Sequence, residues 1–493
     1  MDHNIWVILP PIIVVIAASL TKEVYSSLFL GAITGCLIYM NFDLFSAIDI
    51  CFRIMSDVIS DNASLLIFLV FLGIIVSLIT KSGASTAYAN AAQKIIKSKR
   101  SALLATSALG CLIFIDDYFN CLTVGTVMSP ITDKYKVSRA KLAYIIDSTA
   151  APVCILAPIS SWGAAVASSL PKESTVDGFM LFLSTIPYNL YAILTLVFLF
   201  WIIMFDKDFF NMRKYEDELQ KKSETIIQEK VRKVGNGKVI DVVLPVLVLI
   251  FVSMLCMLYN GGFFNGVSLI ESFRNCDSIA SLILGSVITL AFIFVLYIPR
   301  KILTFGDFTD CFTEGVNSMS GAILILCLSW TLAGICSTNY LNLGGYIASL
   351  LSNVTSLLQW MPVTFFVVSL VLTFATGASW GAFAILIPII ATIFPSEGIM
   401  LSLTVSACLA GAVAGDHISP LSDTSILSSA GAQCVHLDHV YTQIPYATVV
   451  IIMTIIGYIF GGLFNNGWIG LLTGSISLLI FILFITLKNI KKS

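Results

Sequence analysis

Residues 414–432 read AGDHISPLSDTSILSSAGA, and this stretch decides the fold because it sets two carboxylates and six hydroxyls between apolar segments. An external loop is the alternative. Small residues and Pro420 between the carboxylates favour instead a helix that unwinds inside a membrane. Oxygen ligands suit a small hard cation, so Na⁺ or Li⁺ fits better than a transition metal. The candidate ligands are Asp416, Asp423, Ser419 and Thr424, and the candidate lining residues are His417, Pro420 and Ser422.

The composition around this stretch is that of a membrane protein. Of 493 residues, 57% are hydrophobic and 11% are charged, against roughly 25% charged residues in soluble domains. Apolar stretches recur from end to end, which predicts an all-α polytopic membrane protein with about 11–14 segments, some of them interrupted or re-entrant. The net charge of −2 gives no reason to expect a nucleic-acid partner. The twelve cysteines are mostly scattered singly in apolar segments and are interpreted as small buried hydrophobes.

Basic residues collect in a few loops, which predicts the orientation by the positive-inside tendency. These loops lie near residues 94–100, 134–141, 207–238, 300–301 and 488–492. The acidic loops 42–61 and 260–278 suit the opposite side. We therefore expect a cell-membrane protein, inner or plasma, with the N-terminus outside and the C-terminus cytoplasmic. Its parts are an N-terminal membrane half (1–205), a cytoplasmic linker (206–238) and a C-terminal membrane half (239–493).

Residues 102–132 lie between two basic loops that this orientation puts on one side of the membrane. About 40 residues are needed for two full spans, so the chain is expected to turn inside the bilayer. The turn carries IDDYFNCLTVGT, residues 115–126, with Asp116, Asp117 and Asn120 as candidate cation ligands. Adjacent carboxylates point to different faces of a helix, so one of the pair is expected to face the site. A solvated loop is the alternative.

A second polar cluster, DSTAAPVCILAPISSWG, covers residues 147–163. Asp147 and Thr149 are candidate ligands, and Ser148, Pro152 and Ser160 are candidate lining residues. Pro152 and Pro158 are expected to free the carbonyls of Ser148 and Cys154. A helix N-cap is an alternative or an additional role for Asp147.

A third cluster, TFATGASWGAF at residues 373–383, is interpreted either as a lined break in a helix or as small residues that let helices approach. Its candidate lining residues are Thr376, Gly377, Ser379 and Trp380. Each half of the chain thus has a polar cluster followed by a proline-broken apolar segment. Such paired interruptions indicate a transporter binding site.

A further stretch, CVHLDHV at residues 434–440, lacks the i, i+4 histidine pair of a helical zinc site. We expect it to be a turn at the membrane edge.

The strings IDDYFN, TDKYKVSRAKLAYIIDSTAAP, TGASWG, GDHISPLSDTSILSSAGA and HLDHVYTQIPYA together resemble the NhaC-type sodium/proton antiporter family. The resemblance implies two inverted repeats with interrupted helices and a transport domain beside a scaffold. It also implies exchange of Na⁺ for H⁺, with some relatives exchanging organic or amino acids instead.

The expected function is therefore secondary active transport, in which Na⁺ or Li⁺ and protons compete for buried carboxylates. No cofactor is expected beyond the transported ion. An exchanger of a small organic acid or amino acid is the alternative, and a passive channel is a third possibility. An intramembrane enzyme is disfavoured because the sequence has neither a G-x-S-x-G elbow nor an HExxH motif. A homodimer is left open.

Overall fold

A computed structural model of the chain describes residues 5–21, 23–84, 87–88, 91, 96–114, 117–158, 160–170, 176–225, 237–343, 345–346, 358–394, 396 and 398–490. Within these ranges the regular elements are helices. The first half has α1 (Leu9–Thr21), α2 (Val24–Tyr39), α3 (Leu44–Asp61), α4 (Ala63–Lys81), α5 (Lys99–Leu112), α6 (Asp117–Lys134), α7 (Arg139–Thr149), α8 (Ala151–Leu156), α9 (Ser161–Ser169), α10 (Gly178–Thr185) and α11 (Leu190–Phe205).

The remaining α-helices follow the first half in chain order. They are α12 (Phe210–Thr225), α13 (Ile240–Asn260), α14 (Leu269–Asn275), α15 (Ser278–Tyr297), α16 (Phe305–Cys336), α17 (Met361–Thr376), α18 (Ser379–Ile393), α19 (Ile399–Ile418), α20 (Asp423–Gly431), α21 (His436–Leu463) and α22 (Gly467–Ile490). Short 3₁₀ turns are Ile5–Ile8, Ile186–Tyr188, Phe263–Asn265 and Leu358–Trp360.

Among the described residues, eight helices are long and apolar enough to cross a membrane, or up to ten if each bent pair of helices is one span. Large apolar side chains remain exposed on them. On α22, Leu472, Leu479 and Leu483 are each more than half exposed along one helical face, as expected for a surface that contacts lipid tails. The chain is therefore a multi-pass helical membrane protein, as the composition predicts.

Residues 42–61, which we expected to form a loop, are instead mostly the helix α3. It turns away from α2 by 120°. Ala47, Cys51 and Ile54 recur at helical spacing and are buried, while Asp49 and Arg53 lie on the exposed side. The acidic residues that suggested a loop thus form the polar face of an amphipathic helix.

Four interruptions divide helices near the polar clusters. They fall between α5 and α6, at Ala150, at residues 377–378 and at residues 419–422. The helix α5 before the first has 14 residues, a rise of about 21 Å against a hydrocarbon core of ~30 Å. It packs against α6, as a hairpin requires, and a turn of the chain inside the bilayer stays a prediction. The N-terminal half has the break between α5 and α6 and then the break at Ala150. The C-terminal half repeats this order with the breaks at residues 377–378 and 419–422.

Two of these breaks contact each other directly. Gly377 has a positive φ of 71°, and a Cβ atom there would lie 2.3 Å from the Leu421 carbonyl oxygen. Ser419 Oγ donates to the Phe374 carbonyl at 2.9 Å. Only glycine fits this approach with this backbone conformation.

The helices form two groups by their mutual packing. One group contains α1–α4 and α13–α16, and the other contains α5–α12 and α17–α22. Each group takes helices from both halves of the chain, as a scaffold and a transport domain require. The second group carries all four breaks, so we call it the break-bearing group. Contacts between the groups include α16 against α17 and α20, where Ser329 Oγ donates to the Leu421 carbonyl at 2.7 Å.

The first part of the expected linker, residues 206–225, is docked on the other helices of the break-bearing group, and we call it the strap. Asp208 Oδ2 lies 2.7 Å from Lys141 Nζ, whose side chain is 1% exposed. Glu216 accepts from the Ser138 backbone N–H at 3.0 Å and from Lys99 Nζ at 3.1 Å. The strap therefore joins the N-terminal ends of α5 and α7. Residues 226–236 of the linker lie outside the described residues.

Candidate cation-binding site

Asp147 lies near the end of α7, close to the break at Ala150, and is fully buried. Its carboxylate Oδ2 accepts from Ser425 Oγ at 2.9 Å and from Gln443 Nε2 at 2.6 Å. Oδ1 accepts from Ser428 Oγ at 3.3 Å. The N-cap of α7 is Ser138, nine residues earlier along the chain. The N-cap interpretation of Asp147 is therefore wrong, because the helix begins at the membrane-edge loop and delivers the carboxylate at its far end.

Asp416 and Asp423 lie on either side of the break at residues 419–422 and are linked through Thr424. Thr424 Oγ1 donates to Asp416 Oδ2 at 2.7 Å, and the Thr424 backbone N–H donates to Asp423 Oδ1 at 3.0 Å. Asp423 Oδ2 also accepts from the Tyr118 hydroxyl at 2.5 Å. Ser425 connects this network to Asp147. Hydrogen bonds through Thr424 and Ser425 thus connect carboxylates from α7, α19 and α20, and their role as shared ion ligands stays a prediction.

The two carboxylates on either side of this break differ in how they are satisfied. Asp416 is fully buried and its Oδ1 has no hydrogen-bond partner, whereas both oxygens of Asp423 are bonded. Sequence left the choice between them open. The structure favours Asp416 as the residue with a coordination position to spare.

Among the described residues, the basic side chain paired with this centre is a histidine. In the described part of the chain, no Lys or Arg forms an ion pair with Asp147, Asp416 or Asp423. His439 Nε2 lies 3.3 Å from Asp147 Oδ2, and both residues are fully buried. Nor do the described residues contain three or more His, Cys, Asp or Glu side chains placed to hold one metal ion together. A cation here would therefore need hydroxyl or carbonyl oxygens besides the carboxylates.

In the first polar cluster, Asp117 lies at the edge of this network, and Asn120 bonds backbone carbonyls. Asp117 Oδ2 accepts from the Trp162 indole N–H at 3.0 Å. Asn120 Nδ2 donates to the carbonyls of Gly110, Ile113 and Thr149 at 2.7, 2.8 and 3.2 Å. It thereby satisfies carbonyls left open at the end of α5 and at the break in α7, and its own Oδ1 has no partner. Asp116 lies outside the described residues.

Several predicted hydroxyl residues donate to backbone carbonyls at the breaks. Thr149 Oγ1 donates to Ile145 O at 2.8 Å, and Thr376 Oγ1 donates to Leu372 O at 2.9 Å. Ser160 Oγ donates to Cys154 O at 2.7 Å, so the carbonyl that we expected Pro158 to leave free is occupied. Like Ser419, these residues hold the breaks in shape, and their role as cation ligands stays a prediction.

The other predicted lining residues also lie at the breaks, and one of them, Ser422, joins the carboxylate network through the Thr424 hydroxyl at 3.2 Å. Ser422 caps α20 by accepting from the Ser425 backbone N–H, and the Pro420 carbonyl accepts from His436 Nε2. Pro152 is buried in the first turn of α8, beside the break at Ala150. Ser379 is buried at the start of α18, and the Trp380 ring lies 6.3 Å from the Trp162 ring.

The stretch that we expected to be a membrane-edge turn is a buried part of the site, so that prediction is wrong for its histidines. His436 and His439 lie in the first turn of α21, and Gln443 follows one turn later. All three are buried. Their spacing of three and four residues puts them on one face of a helix. That polar face in an otherwise apolar segment was the signal that sequence reasoning missed.

A narrow gap between side chains, too small to admit a water molecule, lies beside Asp147. Ser148 and His417, both predicted lining residues, face it, and Gln443 separates it from the carboxylate. His417 Nδ1 is 2.9 Å from the Tyr191 hydroxyl. The remaining lining residues are Tyr144, Tyr191, Thr195, Tyr446, Ala447 and Val450.

Comparison with known proteins places this geometry in context. Residues 154–463 match the model of the Na⁺/H⁺ antiporter family. An uncharacterized Haemophilus influenzae protein is 37% identical over 98% of this chain and 95% of its own length. A Bacillus subtilis protein described as a malate-2H⁺/Na⁺-lactate antiporter is 30% identical over 32% of this chain and 34% of its own. Among solved structures, the Alcanivorax borkumensis YdaH transporter covers 87% of this chain and 88% of its own at 13% identity, with a TM-score of 0.33.

Proposed function

The chain belongs to the Na⁺/H⁺ antiporter family, and we propose that it exchanges Na⁺ or Li⁺ for protons at the centre formed by Asp147, Asp416 and Asp423. It is a secondary transporter. The proposal concerns which solute it moves and where that solute binds.

One observation carries the proposal: a fully buried carboxylate oxygen, Asp416 Oδ1, has no hydrogen-bond partner, and no Lys or Arg among the described residues forms an ion pair with this carboxylate. A buried carboxylate without a counter-charge is strongly unfavourable, so it either takes up a proton or binds a cation. Both outcomes neutralise the same group. A proton and Na⁺ therefore exclude each other at Asp416, and this competition is the basis of exchange.

Neutral oxygens complete the proposed coordination. Thr424 and Ser425 supply hydroxyls between the carboxylates. Hydroxyl and carboxylate oxygens match an alkali cation, whereas a transition metal would favour imidazole or thiolate ligands. Asp147, which four side chains surround, holds the negative charge that attracts the cation.

Alternating access follows from the two groups of helices. We propose that the break-bearing group moves against α1–α4 and α13–α16 when its carboxylates are neutralised. When neither a proton nor a cation is bound, the centre is negatively charged, and moving it through apolar surroundings is costly. Only the loaded centre then crosses, and the two ions exchange.

The loops rich in Lys and Arg support an orientation for this movement. We propose that the strap side, which includes Lys99 and Lys141, faces the cytoplasm, and that the N-terminus lies outside. Protease protection in right-side-out and inverted vesicles tests this orientation.

A second candidate function is exchange of a small organic acid or amino acid coupled to these ions. The specific observation in its favour is the similarity to the Bacillus subtilis protein, whose description includes malate and lactate. The same assay distinguishes the two functions.

The test is proton flux in proteoliposomes with an imposed pH gradient. Na⁺ or Li⁺ should dissipate the gradient, and Asp416→Asn should abolish the effect. Asp49→Asn is the matched control, because Asp49 is 62% exposed and lies on α3. The half-saturating Na⁺ concentration should rise as pH falls, since protons occupy the same carboxylates.

Gradient dissipation by organic acids or amino acids alone would contradict cation exchange and favour the second candidate. Na⁺ current without proton movement would indicate a channel instead.

A further inference from the structure

The backbone of the break at residues 419–422 is held by hydrogen bonds from within the break-bearing group. The Leu421 backbone N–H donates to Ser419 Oγ at 3.1 Å. The Pro420 carbonyl accepts from His436 Nε2 at 2.8 Å. Because buried backbone groups rarely remain unpaired, these bonds fix the shape of the unwound stretch between the carboxylates.

The Leu421 carbonyl differs from these groups, because its donor comes from the other group of helices. Ser329 Oγ on α16 donates to it at 2.7 Å. Both residues are buried, with Leu421 0% exposed and Ser329 3% exposed. The carbonyl also meets the other break of the C-terminal half, since a Cβ atom at Gly377 would collide with it. Helix α16 and two breaks therefore converge on one carbonyl oxygen.

Ser329 lies in an apolar part of α16, where a hydroxyl needs a partner. Leu326 and Leu332, on either side of it, are fully buried. The Thr331 hydroxyl, two residues further along, donates to the Cys327 carbonyl of its own helix at 2.7 Å, as Ser and Thr in helices commonly do. Ser329 donates across the interface instead, so its bond depends on where the break-bearing group stands.

Movement of the break-bearing group against α1–α4 and α13–α16 would break this bond. A hydrogen bond is lost once donor and acceptor are more than about 3.5 Å apart. A contact made in one of two states shifts the balance between them by its own free energy. Leu421 lies two residues before Asp423, so the contact acts on the stretch that positions the carboxylates.

We propose that Ser329 is a positioning residue, which ties the unwound stretch of the ion site to α16 in one of the two access states. We call its bond to Leu421 the latch. The inference rests on the alternating access in the proposed function. Apparent affinity at one face falls with the fraction of protein in the state open to that face. The latch therefore makes the two faces of the membrane differ in apparent Na⁺ affinity.

The test is Ser329→Ala in oriented proteoliposomes, with the half-saturating Na⁺ concentration for proton flux measured on each face. Loss of the bond should depopulate the latched state. The ratio of the two half-saturating concentrations should change about threefold, the average effect of one hydrogen bond between membrane helices.

Two further variants separate the bond from packing. Ser329→Cys keeps the volume but offers a weak donor, so it should resemble Ser329→Ala. Thr331→Val is the matched control, because Thr331 is buried on the same helix and its hydroxyl donates within that helix. It should keep the wild-type ratio.

Spin labels at Arg53 and Arg213, exposed side chains in the two groups, give a readout that does not depend on the solute. The labels are placed in a Cys111→Ser background, because the Cys111 side chain is exposed. Ser329→Ala should shift the balance of distance populations about threefold relative to the otherwise wild-type protein. Thr331→Val should leave it unchanged.

An unchanged ratio in Ser329→Ala, an equal change on both faces, or a wild-type ratio in Ser329→Cys would overturn the latch while exchange itself stands. A wild-type protein without Na⁺-dependent proton flux would overturn the proposed function. The label populations then decide the latch by themselves: a shift in Ser329→Ala supports it, and identical distributions overturn it.

Discussion

At the scale of single residues, the site depends on short-range hydrogen bonds to carboxylates. The Thr424 hydroxyl donates to Asp416 Oδ2 at 2.7 Å. Thr424→Val keeps the shape but removes this donor, so Asp416 will hold its proton more firmly. We expect the half-saturating Na⁺ concentration to rise by roughly tenfold or more at fixed pH, since hydrogen bonds to charged groups contribute ~1.5–3 kcal/mol. Thr424→Ser retains the donor and should keep near-normal exchange, and equal behaviour of the two variants would contradict this role.

Gly377 is a second test at this scale. Its positive φ and its approach to the Leu421 carbonyl leave no space for a Cβ atom. Gly377→Ala should lower the apparent melting temperature in detergent and reduce exchange, because the left-handed backbone alone costs ~1–2 kcal/mol in other residues. Gly381→Ala is the control within the same motif: the nearest atom there is 3.7 Å from the added Cβ. Comparable losses in both variants would argue against a specific contact between the breaks.

Residue types alone predicted much of the site but not its partners. Asp147, Asp416, Asp423 and Thr424 are conspicuous because charged or polar groups are unfavourable between apolar segments. Gln443 and His439 are distant along the chain and belong to a helix whose remaining length is apolar. Their proximity to Asp147 depends on how α7 and α21 pack, and no local pattern specifies that packing.

At the scale of elements, the strap is the part that differs most from expectation. Its high charge is typical of a solvated linker, yet its own Glu216 is buried, and Lys141 of α7 is buried against it. The charge pattern shows only which residue types the strap contains. Whether those residues are buried depends on ion-pair partners that come from α5 and α7. The helical breaks, by contrast, were predictable, because proline, glycine and clustered hydroxyls weaken a helix wherever it lies.

The strap also gives a prediction about stability. Asp208→Asn leaves the Lys141 ammonium with Asp206 at 3.9 Å as its remaining ion-pair partner among the described residues. Breaking a buried pair from one side typically costs ~3–5 kcal/mol, so the apparent melting temperature should fall by several degrees. The double variant Lys141→Met/Asp208→Asn removes both charges and should recover most of the loss. Asp49→Asn, which breaks the exposed pair with Arg53, should have little effect. A double variant no more stable than Asp208→Asn would contradict the ion-pair explanation.

At the scale of the whole molecule, the two groups of helices are expected to move relative to each other. Spin labels at Arg53 and Arg213, exposed positions in different groups, should show a distance distribution that differs between Na⁺-loaded and acid conditions. Labels at Arg53 and Asp310 lie within one group and should show no such difference. Cys111, which is exposed among the described cysteines, is replaced by Ser in this background. Identical distributions for the first pair under both conditions would contradict a moving transport domain.

The unbalanced carboxylates also have an electrical consequence. If each turnover neutralises one carboxylate with either ion, no net charge crosses and the rate is indifferent to membrane voltage. If two carboxylates release protons for each Na⁺ bound, one net charge moves per cycle, and every 100 mV contributes ~2.3 kcal/mol to the driving force. Because Asp147, Asp416 and Asp423 share one hydrogen-bonded network that no described Lys or Arg enters, the voltage dependence of turnover reports how many of them exchange protons.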